Sequence, residues 1–336
     1  MKKAKKLMSL LVLLVMAVGL LAGCGSSSSS SQNQPTAPPK EEGSQSAAEE
    51  AEIAMILKTL ANPFWVAMKE GIEAKAKELG IKVDVYAVQS EDDIQGQLKL
   101  FEDCLSKNYK AIGFAPISPV NLIPAVSEAY KKGIYMVNID EMVDMNEMKN
   151  AGANVLALVT TDNVKVGEKA AKFIVEKLGP EGGKVAVIEG KAGAVSGENR
   201  KQGATDVFKS TPNIDLVASQ PADWDRIKAL DTATNIIQSN PDIKAFYCAN
   251  DTMALGVAEA VQNLKKDILV VGTDGIDEAV QAVKEGRLAA TVAQDPAKIG
   301  ATGLEILVDA LKNKVPLPEV GAEVEVIPVD SILITE

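Results

Sequence analysis

IAMILKTLANPFWVAMKEG, residues 53 to 71, decides how the rest of the chain is read. Residues 53–57 form an apolar run long enough for one buried strand, and Trp65, Met68, Ile72, Ala76 and Leu79 then recur at helical spacing. A strand, a loop and a helix are therefore predicted. The loop holds Lys58, Asn62, Phe64 and Trp65, and in an open α/β sheet ligands collect outside the carboxyl ends of the strands. A cation, an amide and two aromatic faces suit a small polyol, whose hydroxyls need donors and acceptors and whose C–H face packs on an aromatic plane. The same two aromatics would equally serve to close the hydrophobic core where the helix begins.

Further apolar runs of strand length follow at 82–87, 111–115, 134–138, 156–160, 184–189, 216–219, 243–249, 268–272 and 289–293, with amphipathic helices between most of them. Ile94, Leu98, Phe101 and Leu105 make one such helical stripe. Alternation of this kind predicts parallel sheets with helices on both faces. The pattern also repeats. Lys110-Ala111 matches Lys244-Ala245, Ala115 matches Ala249, Lys131-Lys132 matches Lys265-Lys266 and Asp140 matches Asp274, all at one constant offset. With a short insertion, Gln89-Ser90 matches Gln220-Pro221. Two similar α/β halves facing each other enclose a cleft walled by equivalent loops.

Composition narrows the chemistry. At 336 residues the chain exceeds one typical domain, and there is no His, so imidazole acid/base chemistry and His-containing zinc sites are excluded. Cys24, Cys104 and Cys248 have no metal-ligand or redox spacing; the last two read as buried small apolar residues. No metal and no cofactor are expected. The formal charge of -11 argues against nucleic acid, which needs a basic face.

The first 23 residues read as a signal peptide: Lys2, Lys3, Lys5 and Lys6, an apolar run over 7–21, and then LAGC at 21–24. A small-residue site just before Cys24 resembles the lipobox of bacterial lipoproteins, in which that cysteine carries the lipid. The alternative is an ordinary signal peptide with an incidental cysteine. Residues 24–50, rich in Ser, Pro, Gln and Glu, have too little apolar surface to fold and read as a disordered tether.

Several polar residues fall at predicted strand ends. Asp140 and Asp274 are equivalent by the repeat. Paired carboxylates serve glycosidases as acid and nucleophile, but carboxylates that each accept hydroxyl hydrogens bind a sugar without proton transfer, and binding is the preferred reading. Asp251 reads as a helix N-cap, with Asn250 beside it free for the cleft. Gln294 follows a strand at a crossover between the halves, just before Asp295-Pro296. Arg200, in GENRKQG, has a fork suited to neighbouring hydroxyls, although a surface arginine in a charged helix is as good a reading.

SQPADWDRIKALD (219–231), YCANDTMALG (247–256), VVGTDGI (270–276) and TVAQDPAKIGATG (291–303) resemble the periplasmic sugar-binding proteins of ABC importers, the ribose-binding and D-allose-binding proteins in particular. The resemblance spans essentially all of residues 52–336. It implies the type I periplasmic-binding-protein fold, two Rossmann-like lobes joined by a three-crossover hinge with the ligand cleft between. The lobes would be 51–161 with 295–325, and 162–294 with 326–336. It also implies sugar contacts at Asn62, Phe64, Trp65, Asp140, Arg200, Trp224, Asn250, Asp274 and Gln294.

The chain departs from the ribose-binding pattern at three places. Lys58 replaces a small hydroxyl residue, Glu141 an arginine and Ala115 an amide. Those changes, with NPFW, FAPISPVNL, KKGIYMVNIDE and VTTDNVKVG, are similar to the D-allose-binding branch and add Lys58 and Glu141 to the ligand-binding set. The resemblance thus implies a monomeric, non-enzymatic, lipid-anchored receptor outside the cytoplasm that takes a monosaccharide to ABC permease subunits. A ribose, pentose or other small-polyol receptor of the same fold, a sugar-processing enzyme and a transcriptional repressor are the alternatives.

Overall fold

The computed structural model describes residues 51–335. The expected signal peptide, Cys24 and the expected tether lie outside the described residues. In chain order the first elements are β1 (Ile53–Thr59), α1 (Pro63–Leu79), β2 (Val83–Val88), α2 (Ile94–Leu105), β3 (Ala111–Phe114), α3 (Ile123–Lys131), β4 (Tyr135–Ile139), α4 (Met145–Asn150) and β5 (Ala157–Thr160). There follow α5 (Asn163–Leu178), β6 (Gly183–Glu189), α6 (Val195–Ser210), β7 (Ile214–Pro221), α7 (Arg226–Ser239), β8 (Ile243–Cys248), α8 (Asp251–Asn263), β9 (Leu269–Asp274), α9 (Asp277–Lys284) and β10 (Ala290–Ala293). The chain ends with α10 (Pro296–Asn313), β11 (Glu325–Pro328) and β12 (Ile332–Ile334).

Two six-stranded sheets result, ordered β11-β5-β4-β3-β1-β2 and β12-β10-β9-β8-β6-β7. Every pairing is parallel except β10 with β12. In both sheets the strand order reverses beside the first strand of the half, which is where doubly wound sheets open a crevice. Each sheet is buried on both faces, so its strands read as continuous apolar runs. In β1, Ile53, Met55 and Leu57 join the core under α1 and α10, while Ala54 and Ile56 join the opposite core with Phe101 and Val126. In β6, Val185 and Val187 pack with residues of α5 and α6, and Ala186 and Ile188 with α7 and α8.

The chain passes between the sheets three times: after β5, after β10, and between β11 and β12. Two expectations are corrected here. β11 pairs with β5, so residues through Pro328 belong to the first sheet and the last crossing lies at 329–331 instead of 325/326. The alternating EVEVIPV pattern was the available signal for that edge strand. Second, Asn250 and Asp251 exchange roles. Asn250 is the N-cap of α8, accepting from Met253 N. Asp251 is fully buried and accepts from Gly275 N, Ile276 N and Thr291 Oγ1, which fixes the turn after Asp274. Burial and the nearby Asp274 push its carboxyl well above the ordinary range.

Asp251→Ala would strand the buried Thr291 Oγ1 and two part-buried backbone N–H groups, at about 1 kcal/mol each. It should therefore lower unfolding stability by roughly 3 kcal/mol in urea titrations. Asp251→Asn keeps an acceptor for the two backbone N–H groups, and should lose much less.

Candidate ligand-binding site

A small cavity, about 30 Å³, lies between the carboxyl ends of the two sheets. From the first lobe it is lined by Lys58, Asn62, Phe64, Trp65, Glu91, Asp140 and Glu141, and from the second by Ser196, Arg200, Trp224, Asn250 and Asp274. Ten of the eleven residues expected to bind ligand are thus brought to one place. Gln294 stands behind the wall, donating from Nε2 to Asp274 Oδ1 at 2.7 Å.

The backbone explains how these groups arrive there. Lys58 lies near the end of β1, and Asn62 is the N-cap of α1, its Oδ1 accepting from Phe64 N. That cap aims the start of α1 so that Phe64 and Trp65 are both buried, edge to face with ring centroids 5.2 Å apart. Trp65 donates through Nε1 to Glu91 at 3.1 Å. On the opposite wall Trp224 sits at a positive φ of 64°, after Asp223 at 54°. Its ring lies so close to the Cα of Gly190 that a Cβ there would stand 2.0 Å from it, so only glycine accommodates the indole in this position.

Asp140 and Asp274 occupy equivalent positions, as the repeat predicts, and both turn the chain at positive φ (58° and 118°). Their surroundings differ. Asp274 Oδ1 accepts from Arg200 Nη1 at 3.2 Å and from Gln294. Burial still pushes its carboxyl up to about 6, against the opposing pull of Arg200 and Gln294. Asp140 Oδ1 is buried without a hydrogen-bond partner among the described residues. Burial and Glu141 push this carboxyl up to about 7, with Lys58 and Arg200 opposing.

Arg200 is not a surface arginine. It is buried on α6, donating from Nε to Asn163 Oδ1 (2.8 Å) and from Nη1 to Ala249 O (2.7 Å). Gly203 permits this: a Cβ there would fall 2.0 Å from Val164 O, so α6 can lie directly on α5. Lys58 pairs with Glu141 at 2.8 Å and approaches Glu91 at 3.7 Å. Burial alone would depress the Lys58 ammonium, but the two carboxylates outweigh it and hold its pKa above the ordinary value.

Glu91 and Ser196 line the cavity without having been expected there. Glu91 lies in a polar turn after β2, and Ser196 at the start of a helix whose sequence gives no capping signal; their roles depend on partners far away in the chain.

Chemically, the wall combines two cations, four carboxylates, two amides and three aromatic rings. Two of its buried polar atoms, the acceptor Asp140 Oδ1 and the donor Trp224 Nε1, have no hydrogen-bond partner among the described residues. Buried polar atoms are almost always satisfied, so a ligand that both donates and accepts fits this wall.

Residues 53–314 match the family described as the periplasmic binding protein domain. The chain is 62% identical over 295 residues to the D-allose-binding periplasmic protein of Escherichia coli, covering 87% of this chain and 94% of that protein. It is 38% identical to the ribose import binding protein of Bacillus subtilis, over 79% of this chain and 83% of the relative. Among solved structures, a periplasmic solute-binding protein of an ABC transporter from Actinobacillus succinogenes, with bound D-allose, superposes with a TM-score of 0.79 at 35% identity, covering 85% of this chain and 98% of that one. The chain therefore belongs to the periplasmic binding protein family, on its non-enzymatic, sugar-binding branch.

Proposed function

We propose that this protein binds a monosaccharide, D-allose foremost, between its two lobes and delivers it to the permease of an ABC importer. The observation that carries this reading is the pair of unpartnered buried atoms, Asp140 Oδ1 and Trp224 Nε1, in a cavity walled by both lobes. A neutral polyol supplies the missing donor and acceptor without adding a charge to a wall already crowded with carboxylates. Trp224 lines the cavity from one lobe and Phe64 and Trp65 line it from the other, so a sugar ring would have aromatic surface from both lobes. Asp140, Asp274, Asn62, Asn250 and Arg200 would take the hydroxyls, and Gln294 would hold Asp274 in place.

Support for D-allose comes from the 62% identity to a D-allose-binding protein and from the D-allose held by the 35% identical structure. Allose shares the ribo-type hydroxyl arrangement and adds a hydroxymethyl group. A pocket resembling a ribose site but altered at Lys58 suits that addition. The 38% identity to a ribose import protein keeps a pentose as the competing ligand. Closure around the sugar is the transport signal in this reading: contacts from both lobes favour the closed form, which presents both lobes together to the permease. Cys24 would anchor the mature chain by its lipid to the outer face of the cell membrane, with residues 24–50 as spacer.

Calorimetric titration should give a micromolar dissociation constant for D-allose, about −8.2 kcal/mol, and weaker binding for D-ribose. Tighter binding of ribose would reassign the ligand. Asp274→Ala removes hydrogen bonds to a charged acceptor, each about 1.5 to 3 kcal/mol, and should weaken allose binding by roughly a hundredfold or more.

A pH dependence follows from the two raised carboxyls. Sugar hydroxyls donate to the ionised form, so ligand lowers pKa values that the protein's own groups set at about 7 and about 6. Affinity should be full above pH 7 and fall as the pH drops through 7 and 6, with protons released on binding in that window; buffers of different ionisation enthalpy would reveal the release. Stability of the sugar-free protein runs the other way. The raised folded values favour the protonated form, so this contribution is complete below the ordinary carboxyl range near 4 and is lost as pH rises through 6 and 7. Melting temperature without sugar should fall across that interval, and Asp140→Asn should flatten the fall.

Mass spectrometry of the membrane-associated protein should find the mature chain starting at a lipid-modified Cys24. Cys24→Ala should release it from the membrane fraction; retention would remove the anchor from this account.

A further inference from the structure

Helix α6 begins without a cap of its own. Ala194 stands at its N-cap position with no side-chain hydrogen bond, whereas α1, α5, α7 and α8 are capped by Asn62, Asp162, Asp225 and Asn250 from their own lobes. The acceptor for α6 comes across the cleft. Glu141, at the end of β4 in the first lobe, accepts Ser196 N on Oε1 at 2.9 Å and Ser196 Oγ on Oε2 at 2.8 Å. Lys58 Nζ donates to the same Oε2 at 2.8 Å. Lys58 is 2% exposed and Glu141 1%, so this junction is buried.

A second tie lies at the other end of the same loop. Lys191 of the second lobe donates to Glu91 O at 2.9 Å and pairs with Asp92, both in the first lobe. Lys58, 3.7 Å from Glu91, links the two ties into one network. Unlike Asp140, Glu141 has both oxygens engaged by protein donors, and nothing about its bonding waits for a ligand.

We propose that Glu141 is a positioning residue that caps α6 from the opposite lobe, and that this clasp stabilises the closed form enough to populate it before sugar binds. It raises affinity by stabilising the closed form, without touching the sugar. The proposal rests on the hinged-cleft reading above but not on which sugar binds. A ligand shifts a two-state equilibrium only through its differential affinity, and its apparent affinity falls with the fraction of competent protein. Removing the clasp should therefore weaken every ligand by one common factor, whereas removing a sugar contact weakens sugars unequally. Loss of one charge-assisted cap is worth on the order of tenfold.

The test is small-angle scattering of the purified protein with and without sugar, combined with calorimetry on D-allose and D-ribose. The wild type without sugar is expected to scatter as a mixture containing the closed form. Glu141→Ala should shift that mixture toward the open form, return to the wild-type closed profile at saturating sugar, and lose roughly tenfold in affinity for both sugars with their ratio unchanged. Ser196→Ala keeps the backbone bond and should move both readouts less, in the same direction. Glu141→Gln keeps an acceptor for Ser196 and should fall between; these two variants carry the test if Glu141→Ala fails to fold. Unchanged sugar-free scattering in the variants would overturn the clasp, and so would a change in the allose-to-ribose ratio, which would make Glu141 a sugar contact. If neither sugar bound the wild type, the ligand assignment would fail while the sugar-free scattering still decided the clasp.

Discussion

Ions removed from water cost several kcal/mol each unless partners replace the lost hydration. The seam between these two sheets holds Lys58, Glu91, Asp140, Glu141, Arg200 and Asp274 around a single cavity. Lys58 is matched to Glu141, and Arg200 to Asp274. Asp140 has no cation of its own. It feels Lys58 and Arg200 at a distance but forms no bond with either, and its carboxyl accordingly shifts furthest toward neutrality among the cavity carboxyls whose values are resolved. The chain thus settles most of its buried charge internally and leaves one carboxylate to be satisfied from outside.

The internal duplication supplies the geometry for this, and divergence between the copies supplies the asymmetry. Ala115 N bonds to Ile56 O in one half as Ala249 N bonds to Ile188 O in the other, both at 2.9 Å. Asp140 and Asp274 then leave the sheets with the same left-handed sense, a backbone conformation that costs free energy and persists only where the surroundings over-determine it. Those surroundings have diverged. The second half gives its aspartate Arg200, Gln294 and the buried Asp251 brace behind the following turn. In the first half Thr160 Oγ1 reaches Asp140 at its backbone oxygen and not at its carboxylate, and the polar supply has gone to its neighbour, Glu141.

What was legible in the residues follows from the range of the interactions involved. The ten strands of the two main sheets announced themselves because both faces of each sheet are covered, so local apolar runs carry the pattern. The exposed edge strands β11 and β12 are short, with Val326, Ile332 and Leu333 facing solvent, and their pairing depends on chain that has already crossed the hinge. Strand-end residues such as Lys58, Asp140 and Asp274 could be placed on the cleft from periodicity alone. Trp224 needed the family resemblance, since its side chain arrives through two consecutive residues at positive φ. Asn250 and Asp251 were interchanged because either is a good cap in sequence, and only the donors of Gly275, Ile276 and Thr291, brought up by β9 and β10, select Asp251 for the interior. Ser196 and Glu91 answer to partners in the other lobe or in a distant loop, and no local signal encodes that.

The same division between local and cross-cleft bonding bears on how binding free energy is used. A receptor closed solely by its ligand must spend part of the contact energy on closure and on ordering side chains, so affinity falls short of what the contacts alone would give. Here much of the ordering is already in place. Arg200 is fixed by three acceptors, Asn62 and Asn250 by the helices they cap, Trp65 by Glu91 and Trp224 by the space over Gly190. Such a wall is preorganised for one shape, so a misplaced hydroxyl leaves a buried group unpaired instead of finding a new partner, and discrimination of that kind is large compared with that from apolar fit. The duplicated aspartates make the demand stricter still, because a ligand that satisfies Asp140 must place its other hydroxyls against an Asp274 whose Oδ1 already accepts from Arg200 and Gln294.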